Sequence, residues 1–245
     1  MKAARACWRL GRVLAHALSG LAQILILFPH WPQPRRDLRV QAWARTMLDC
    51  LGIELQVSGT PPVSGPMLLV ANHISWLDIL VLHAARHCRF VSKSDVKHWP
   101  LIGILATGAG TLYIERASRR DAMRVVHKMA QALKDGDVLA VFPEGTTGDG
   151  SILLPFHANL IQAAISAHAP VQAVALQFID ATSGATSQAM SYVGDESLAG
   201  SVWRTLCTSR IRAVVAYGTP QFSDGRDRRA WARDLHAAVG QLRRF

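Results

Sequence analysis

The sequence predicts an α/β protein in which one mostly parallel or mixed sheet is covered by helices, preceded by an N-terminal helical segment that associates with a membrane. Three observations predict this class. Half of the 245 residues are hydrophobic, which is enough to fill one large core. Short apolar runs alternate with stretches of helical periodicity along most of the chain. The runs are continuously apolar, which is typical of strands that helices cover on both faces.

The first element is an uncharged stretch of 17 residues, 13–29, with basic residues on both sides and Trp8 and Trp31 near its ends. A membrane-spanning helix needs about 20 apolar residues, so this stretch is at the short limit. Basic flanks and interfacial tryptophans are typical of a segment that lies in an anionic membrane face. We expect it to lie on the cytoplasmic face of the inner cell membrane, or to enter it as a single helix. A helix buried in the protein core is the alternative.

The stretch PHWPQPRR, residues 29–36, contains three prolines, which end a helix and mark a junction. No small-residue cleavage site follows the apolar run, so we do not expect a cleaved signal peptide. The chain therefore divides into a membrane-associating segment, 1–36, and one folded domain, 37–245.

The domain is predicted as alternating strands and helices, because each apolar run is short and is followed by turn residues or by a helical period. The predicted strands are IELQV (53–57), MLLVA (67–71), RFVS (89–92), TLYIE (111–115), VLAVF (138–142), VQAVALQF (171–178) and RAVVAY (212–217). The predicted helices lie near 38–51, 76–87, 99–107, 119–134, 157–168, 198–208 and 227–243.

The net charge of +10 is concentrated at the two ends of the chain. Residues 1–45 carry eight Lys and Arg against one Asp, and residues 224–245 carry six Arg against three Asp. The middle of the chain balances at thirteen charges of each sign and lacks basic residues interleaved with aromatic ones, so we expect no nucleic-acid partner. The four cysteines show no CxxC spacing, which favours a reducing compartment.

Polar side chains follow three of the predicted strands. NHISWLD follows 67–71, ER follows 111–114, and PEGTTGDG follows 138–142. Ligands of open α/β sheets bind at the carboxyl ends of the strands, where loops collect polar groups. The sequence therefore predicts one shared site at this edge of the sheet.

His73 and Asp78 are the candidate catalytic pair in the first of these loops. Ser75 and Asp78 match a capping box, which explains Asp78 without any catalysis but does not explain His73. A carboxylate that accepts the Nδ1 proton of a histidine leaves Nε2 to take a proton from a substrate. Alone, this spacing is weak, and a purely structural histidine is the alternative.

We find no nucleophile signature beside this histidine, because the sequence has no GxSxG and no cysteine in a catalytic pattern. A basic histidine would then activate a hydroxyl group or water that the substrate supplies. The expected reaction is a direct transfer without a covalent enzyme intermediate.

Four stretches together carry a resemblance to a known family. NHISWLD (72–78), GTLYIER (110–116), FPEGTT (142–147) and APVQAVAL (169–176) resemble, in order, the four motifs of the glycerolipid acyltransferases, the lysophosphatidate acyltransferase family. The resemblance runs from about residue 40 to residue 220. It implies that the histidine and aspartate of the first motif are catalytic.

Two cationic residues are candidate contacts for the acceptor, the first of them from the resemblance. The resemblance implies that Arg116 contacts the phosphate of the acceptor, with a surface ion pair to Glu115 or Asp121 as the alternative. Lys93, at the end of another strand, is expected to add a second phosphate contact or to be a solvated lysine. Thr147 stands where the family often has an arginine, which weakens the prediction of a phosphate-bearing acceptor.

The third motif is expected to supply backbone donors and one acid. Gly145 allows a close backbone approach, so its N–H and that of Thr146 can bind phosphate or a developing oxyanion. Glu144 is expected to organise this turn or to bind the glycerol hydroxyl of the acceptor rather than to donate a proton.

The predicted function is the transfer of a fatty acyl group from acyl-CoA or acyl carrier protein to the free sn-2 hydroxyl of lysophosphatidate, giving phosphatidate, with no cofactor. Two alternatives stay open: an acyltransferase for another lysolipid such as lyso-ornithine lipid, and a non-catalytic protein that binds the membrane surface. His83 and His87 have the spacing of metal ligands on a helix, but no third ligand lies near them in sequence, so we expect no metal. The sequence does not indicate an oligomeric state.

Overall fold

A computed structural model describes residues 2–114 and 119–243 and contains one seven-stranded sheet with helices on both faces. The strands are β1 (Ile53–Ser58), β2 (Met67–Ala71), β3 (Arg89–Lys93), β4 (Leu112–Ile114), β5 (Val138–Val141), β6 (Val171–Asp180) and β7 (Ile211–Tyr217). The α-helices in the described residues are α1 (Lys2–Ile26), α2 (Gln33–Leu51), α3 (Leu77–Ala85), α4 (Ile102–Gly108), α5 (Arg119–Lys134), α6 (Gln162–Ala167), α7 (Leu198–Cys207) and α8 (Arg228–Leu242).

The sheet is mixed, with the strand order β1-β7-β6-β2-β5-β3-β4. All neighbouring pairs are parallel except β6 and β7, which are antiparallel. In the centre, Val70 of β2 pairs with Val141 of β5 on one side and with Ala173 of β6 on the other. The carboxyl ends of β2, β5 and β3 therefore meet at one edge of the sheet, and β6 extends beyond that edge.

The central strand β2 is buried along its whole length, as its uninterrupted apolar sequence predicts. Its side chains point alternately into two cores, one on each face of the sheet. Leu69 and Ala71 pack with α1, α2, α3 and α7, whereas Leu68 and Val70 pack with α5, α6 and α8. The predicted α/β class with a mixed, helix-covered sheet is confirmed.

Two predicted helices begin later than their periodicity suggests. The helix predicted near 157–168 begins at Gln162, because the N–H of His157 donates to the carbonyl oxygen of Pro143 at 2.8 Å and holds this segment against the β5 loop. The helix predicted near 99–107 begins at Ile102, after a tight turn in which Leu101 has a φ of 63°.

The N-terminal helix α1 packs against the domain rather than standing apart from it. Arg5 donates to the carbonyl oxygen of Cys207 at 3.1 Å, and Arg9 donates to that of Leu206 at 3.1 Å. These carbonyl groups lie at the end of α7, where a helix leaves its last acceptors without partners and where positive charge is favourable. In the part of the chain that the structure describes, no helix has both the length and the apolar character to cross a membrane.

Candidate active site

The end of β2 is fixed to the extension of β6 by the side chain of Asn72. Its Nδ2 donates to the carbonyl oxygen of Leu176 at 3.0 Å, and its Oδ1 accepts from the N–H of Leu176 at 2.7 Å. Asn72 is buried, so these two bonds replace the strand pairing that β2 no longer provides. His73 therefore lies directly beyond the edge of a rigid sheet.

His73 and Asp78 are hydrogen-bonded, with 2.7 Å between Nδ1 and Oδ2. The same carboxylate oxygen accepts from the N–H groups of Ile74, at 2.6 Å, and Ser75, at 2.9 Å. Asp78 is fully buried, whereas the His73 side chain is 19% exposed. Because a carboxylate accepts the proton on Nδ1, Nε2 is the basic nitrogen, and among the described residues it has no hydrogen-bond partner.

The capping pattern predicted for this loop is formed through its acidic member. Asp78 lies in the first turn of α3 and accepts from the backbone of Ser75, whose hydroxyl is 3.4 Å from the N–H of Leu77. The carboxylate thus anchors the helix start and orients the imidazole at the same time.

Phe142, which follows β5, stacks on the imidazole of His73. The two ring centroids are 3.9 Å apart and the planes differ by 6°. Phe142 in turn stacks on Phe90 of β3, at 5.8 Å. The hydrogen bond to Asp78 therefore restrains one edge of the His73 ring, and the stacked ring of Phe142 restrains one of its faces. Sequence reasoning did not assign this role to Phe142, although its position as the first residue of FPEGTT is the signal that could have found it.

Glu144 holds the backbone of the histidine. Its Oε1 accepts from the N–H of His73 at 2.6 Å, and its Oε2 accepts from the N–H of Leu154 at 2.9 Å. Burial raises the pKa of Glu144, and the hydrogen bonds from these two N–H groups oppose that shift. Both carboxylate oxygens are thus engaged by the backbone, which favours the organising role over contact with the acceptor.

The turn after Glu144 uses some of its N–H groups internally. Gly145 has a φ of 75° and donates to the carbonyl oxygen of Phe142 at 3.1 Å, so its N–H is occupied. The N–H of Gly148 donates to the carbonyl oxygen of His73 at 2.9 Å, and the hydroxyl of Thr147 donates to the carbonyl oxygen of Tyr192. Thr146 is exposed, and its N–H has no partner in the described residues.

The two predicted cationic contacts have different outcomes. Lys93 is the last residue of β3, at the same edge of the sheet as His73, and its side chain is exposed. Arg116, together with Glu115, lies outside the described residues. The structure therefore brings together His73, Asp78 and the Glu144–Thr146 turn, and it leaves Lys93 at the periphery of this group.

His83 of α3 and His87, which follows the end of α3, belong to the packing between α2 and α3. The rings of His83 and His87 stack at 5.2 Å, and Nε2 of His87 lies 3.1 Å from Oδ1 of Asp37. Burial, together with the nearby His87, lowers the pKa of His83 to about 3, so this side chain is neutral. Within residues 2–114 and 119–243, no three His, Cys, Asp or Glu side chains are arranged to hold a metal ion.

Comparison with known proteins gives consistent matches. The family model described as Acyltransferase matches residues 53–177. The chain is 37% identical to the lyso-ornithine lipid O-acyltransferase of Pseudomonas aeruginosa, over 84% of this chain and 78% of that protein. It is 38% identical to the 1-acyl-sn-glycerol-3-phosphate acyltransferase of Neisseria gonorrhoeae, over 74% of this chain and 71% of that protein.

The fold also has a close counterpart among solved structures. The crystal structure of the 1-acyl-sn-glycerophosphate (LPA) acyltransferase PlsC from Thermotoga maritima superimposes with a TM-score of 0.70. The sequence identity is 17%, and the similarity covers 100% of this chain and 99% of that chain. At this identity the likeness concerns the fold.

Proposed function

The chain belongs to the acyltransferase family, and from this premise we propose that it transfers a fatty acyl group from acyl-CoA or acyl carrier protein to the sn-2 hydroxyl of lysophosphatidate. The observation that carries the proposal is the pair His73–Asp78, in which a buried carboxylate binds Nδ1 and Nε2 has no partner in the described chain. The product is phosphatidate, and the reaction uses no covalent enzyme intermediate.

The proposed reaction begins when Nε2 of His73 takes the proton of the acceptor hydroxyl. The hydroxyl oxygen attacks the carbonyl carbon of the thioester and forms a tetrahedral intermediate, while Asp78 stabilises the imidazolium. Collapse of this intermediate breaks the carbon–sulfur bond, and the imidazolium returns its proton to the departing thiolate. One ester and one thiol are formed, and the histidine is again neutral.

The developing oxyanion needs a donor, and the turn after Glu144 offers one. The N–H of Gly145 is bonded to Phe142, so we assign the oxyanion instead to the N–H of Thr146, an exposed residue whose N–H has no partner among the described residues. Glu144 and Gly148 bind the two sides of the His73 backbone and keep this N–H at a fixed place relative to the imidazole.

A second acceptor, lyso-ornithine lipid, is favoured by two observations. The Pseudomonas aeruginosa protein, whose name states this activity, is 37% identical over 84% of the chain, and Thr147 stands where the family often has an arginine. Purified enzyme assayed for acceptor-dependent thiol release with both lysolipids tests the proposal. Release with lysophosphatidate supports the first acceptor, release with lyso-ornithine lipid alone replaces it by the second, and release with neither refutes both.

We also propose that α1 holds the enzyme on the cytoplasmic face of the inner membrane. Exposed apolar side chains occupy one arc of this helix, roughly 120° wide at about 100° per residue. They include Trp8, Leu14, Leu18 and Leu25, which are each at least half exposed. Arg5 and Arg9 point away from this arc, because they bind the end of α7.

Vesicle sedimentation tests the membrane proposal. Deleting residues 1–36 would also remove the contacts of α1 with α2 and α7, so substitution of Trp8, Leu18 and Leu25 by Gln is the cleaner change. We expect anionic vesicles to sediment the protein without substitutions and to leave the triple variant in the supernatant. Equal sedimentation of the two proteins would show that another surface binds lipid.

A further inference from the structure

A polar cleft of about 490 Å³ lies beside the β5 loop, between β6 and the end of α8. We call it the Arg243 cleft, and its lining residues are Gly150, Ser151, Gln177, Thr186, Gln188 and Arg243. Their side chains provide one guanidinium, two carboxamides and two hydroxyl groups. No carboxylate lines the cleft in the part of the chain that the structure describes.

Two residues that line the cleft, Gly150 and Gln177, lie next to residues that adjoin His73 or bind its neighbour Asn72. Gly150 faces Ile74, since a Cβ on this glycine would lie 3.4 Å from the Cδ1 of that side chain. Gln177 follows Leu176, which exchanges two hydrogen bonds with Asn72. The cleft is therefore adjacent to the loop that carries His73.

Arg243 is held in place by the cleft walls. Its Nη2 donates to the carbonyl oxygen of Gly150 and lies 3.4 Å from that of Ser151, and Gln177 donates to the carbonyl oxygen of Arg243. Nε is buried without a hydrogen-bond partner, and Nη1 has none among the described residues. Burial raises the pKa of Glu144, and the charge of Arg243 is among the influences that oppose this shift. Arg243 thus lies within electrostatic range of the site.

We propose that the Arg243 cleft binds an anionic group of one of the two substrates, either the phosphate or carboxylate of the acceptor head group or a phosphate of the thioester donor. The guanidinium keeps unused donors, and beside it the side chains of Gln188 and Thr186 have no hydrogen-bond partner among the described residues, so together they match the oxygens of such a group. The exposed carboxylate of Asp149 accepts from Ser151 nearby, but water and salt screen its charge. This inference rests on the proposed acyl transfer.

Steady-state kinetics of Arg243→Gln and Arg243→Lys test the proposal, with Arg233→Gln as the matched control at an exposed position of α8, the helix that Arg243 follows. We expect Arg243→Gln to raise the KM of the substrate that carries the anion roughly 10-fold or more, with kcat changed less than about 3-fold. Arg243→Lys should restore part of the affinity, because it keeps the charge. Arg233→Gln should leave both constants unchanged.

Truncated substrates identify the source of the anion. If the acceptor supplies it, the KM effect disappears with a neutral monoacylglycerol acceptor. If the donor supplies it, the effect disappears with an acyl-pantetheine thioester that lacks phosphate. A fall in kcat of the same size with every substrate pair would mean that Arg243 only holds the loop, and would overturn the inference.

A second variant covers the case in which Arg243→Gln does not fold. Gln188 lines the cleft, and Gln188→Glu keeps its size while adding a negative charge. We expect Gln188→Glu to raise the same KM, and we expect added salt to make this rise smaller. An unchanged KM would overturn the inference. If the protein without any substitution releases no thiol with any lysolipid, the proposed acyl transfer itself is refuted, and this inference with it.

Discussion

Replacement of Glu144 by Gln separates a role in positioning His73 from a role in binding the acceptor. The carboxylate is 5% exposed and accepts from two backbone N–H groups, those of His73 at 2.6 Å and Leu154 at 2.9 Å. A carboxamide has one acceptor oxygen, so its NH₂ group would face one of these N–H groups. One buried donor loses its partner whichever way the amide turns.

The magnitude follows from that loss. An unsatisfied buried donor costs about 1–3 kcal/mol, and the bond that remains is weaker because the acceptor has lost its charge. We expect the free energy of unfolding to fall by about 2–3 kcal/mol. Displacement of the His73 backbone should lower kcat roughly 10- to 100-fold, because small errors in the position of a base are costly. The KM of the acceptor should change little.

Urea unfolding and steady-state kinetics on purified proteins measure these effects. Glu54→Gln is the matched control, because Glu54 is exposed and pairs with Arg212 at the surface, where such a pair contributes less than about 1 kcal/mol. The positioning account is refuted if Glu144→Gln raises the KM of the acceptor 10-fold or more while kcat and stability stay unchanged. That result would instead show direct contact between Glu144 and the substrate.

Three further outcomes follow from the same geometry. Asp78→Asn should lower kcat about 10³- to 10⁴-fold by analogy with other carboxylate–histidine pairs, and a purified variant with near-normal turnover would show that Asp78 serves only the helix start. Phe142→Leu should keep the fold but lower kcat several-fold through loss of the stacked ring, and an unchanged kcat would exclude this restraint. The pKa of buried His83 is about 3, against an ordinary 6.5. Between these two pH values the unfolded chain takes up a proton at this histidine and the folded chain does not. The free energy of unfolding therefore falls by up to about 1.4 kcal/mol per pH unit as the pH drops. Urea unfolding at several pH values should show a shallower acid slope for His83→Leu, and equal slopes would contradict the assignment.

The sheet could be predicted from sequence because its strands are covered on both faces. The runs 67–71 and 138–142 are uninterrupted apolar segments, and the structure places β2 and β5 there with at most one residue of difference. The extent of α1 could not be predicted in the same way. The helix spans Lys2–Ile26 and so includes the basic residues that precede the apolar stretch 13–29, of which Arg5 and Arg9 bind acceptors at the end of α7, about 200 residues away in sequence.

The site was predictable to the extent that its contacts are local. His73 lies in the loop before α3 and Asp78 lies in the first turn of that helix, so one short segment contains the whole contact, although this spacing alone is a weak signal. The contacts of Phe142 and Glu144 with His73 depend on the parallel register of β2 and β5, which no local pattern contains. The N–H of Gly145 was predicted to face the substrate, but the turn that its positive φ creates uses this donor internally.

Acyl transfer by purified His73→Ala tests the central claim most directly. The substitution removes the imidazole but leaves the backbone bonds of residue 73 to Glu144 and Gly148 in place, so we expect unfolding in urea close to that of the unchanged protein. The account predicts that acceptor-dependent thiol release and ester formation fall to the background rate of the uncatalysed reaction. Ester formation at a substantial fraction of the original rate by the folded variant would contradict it.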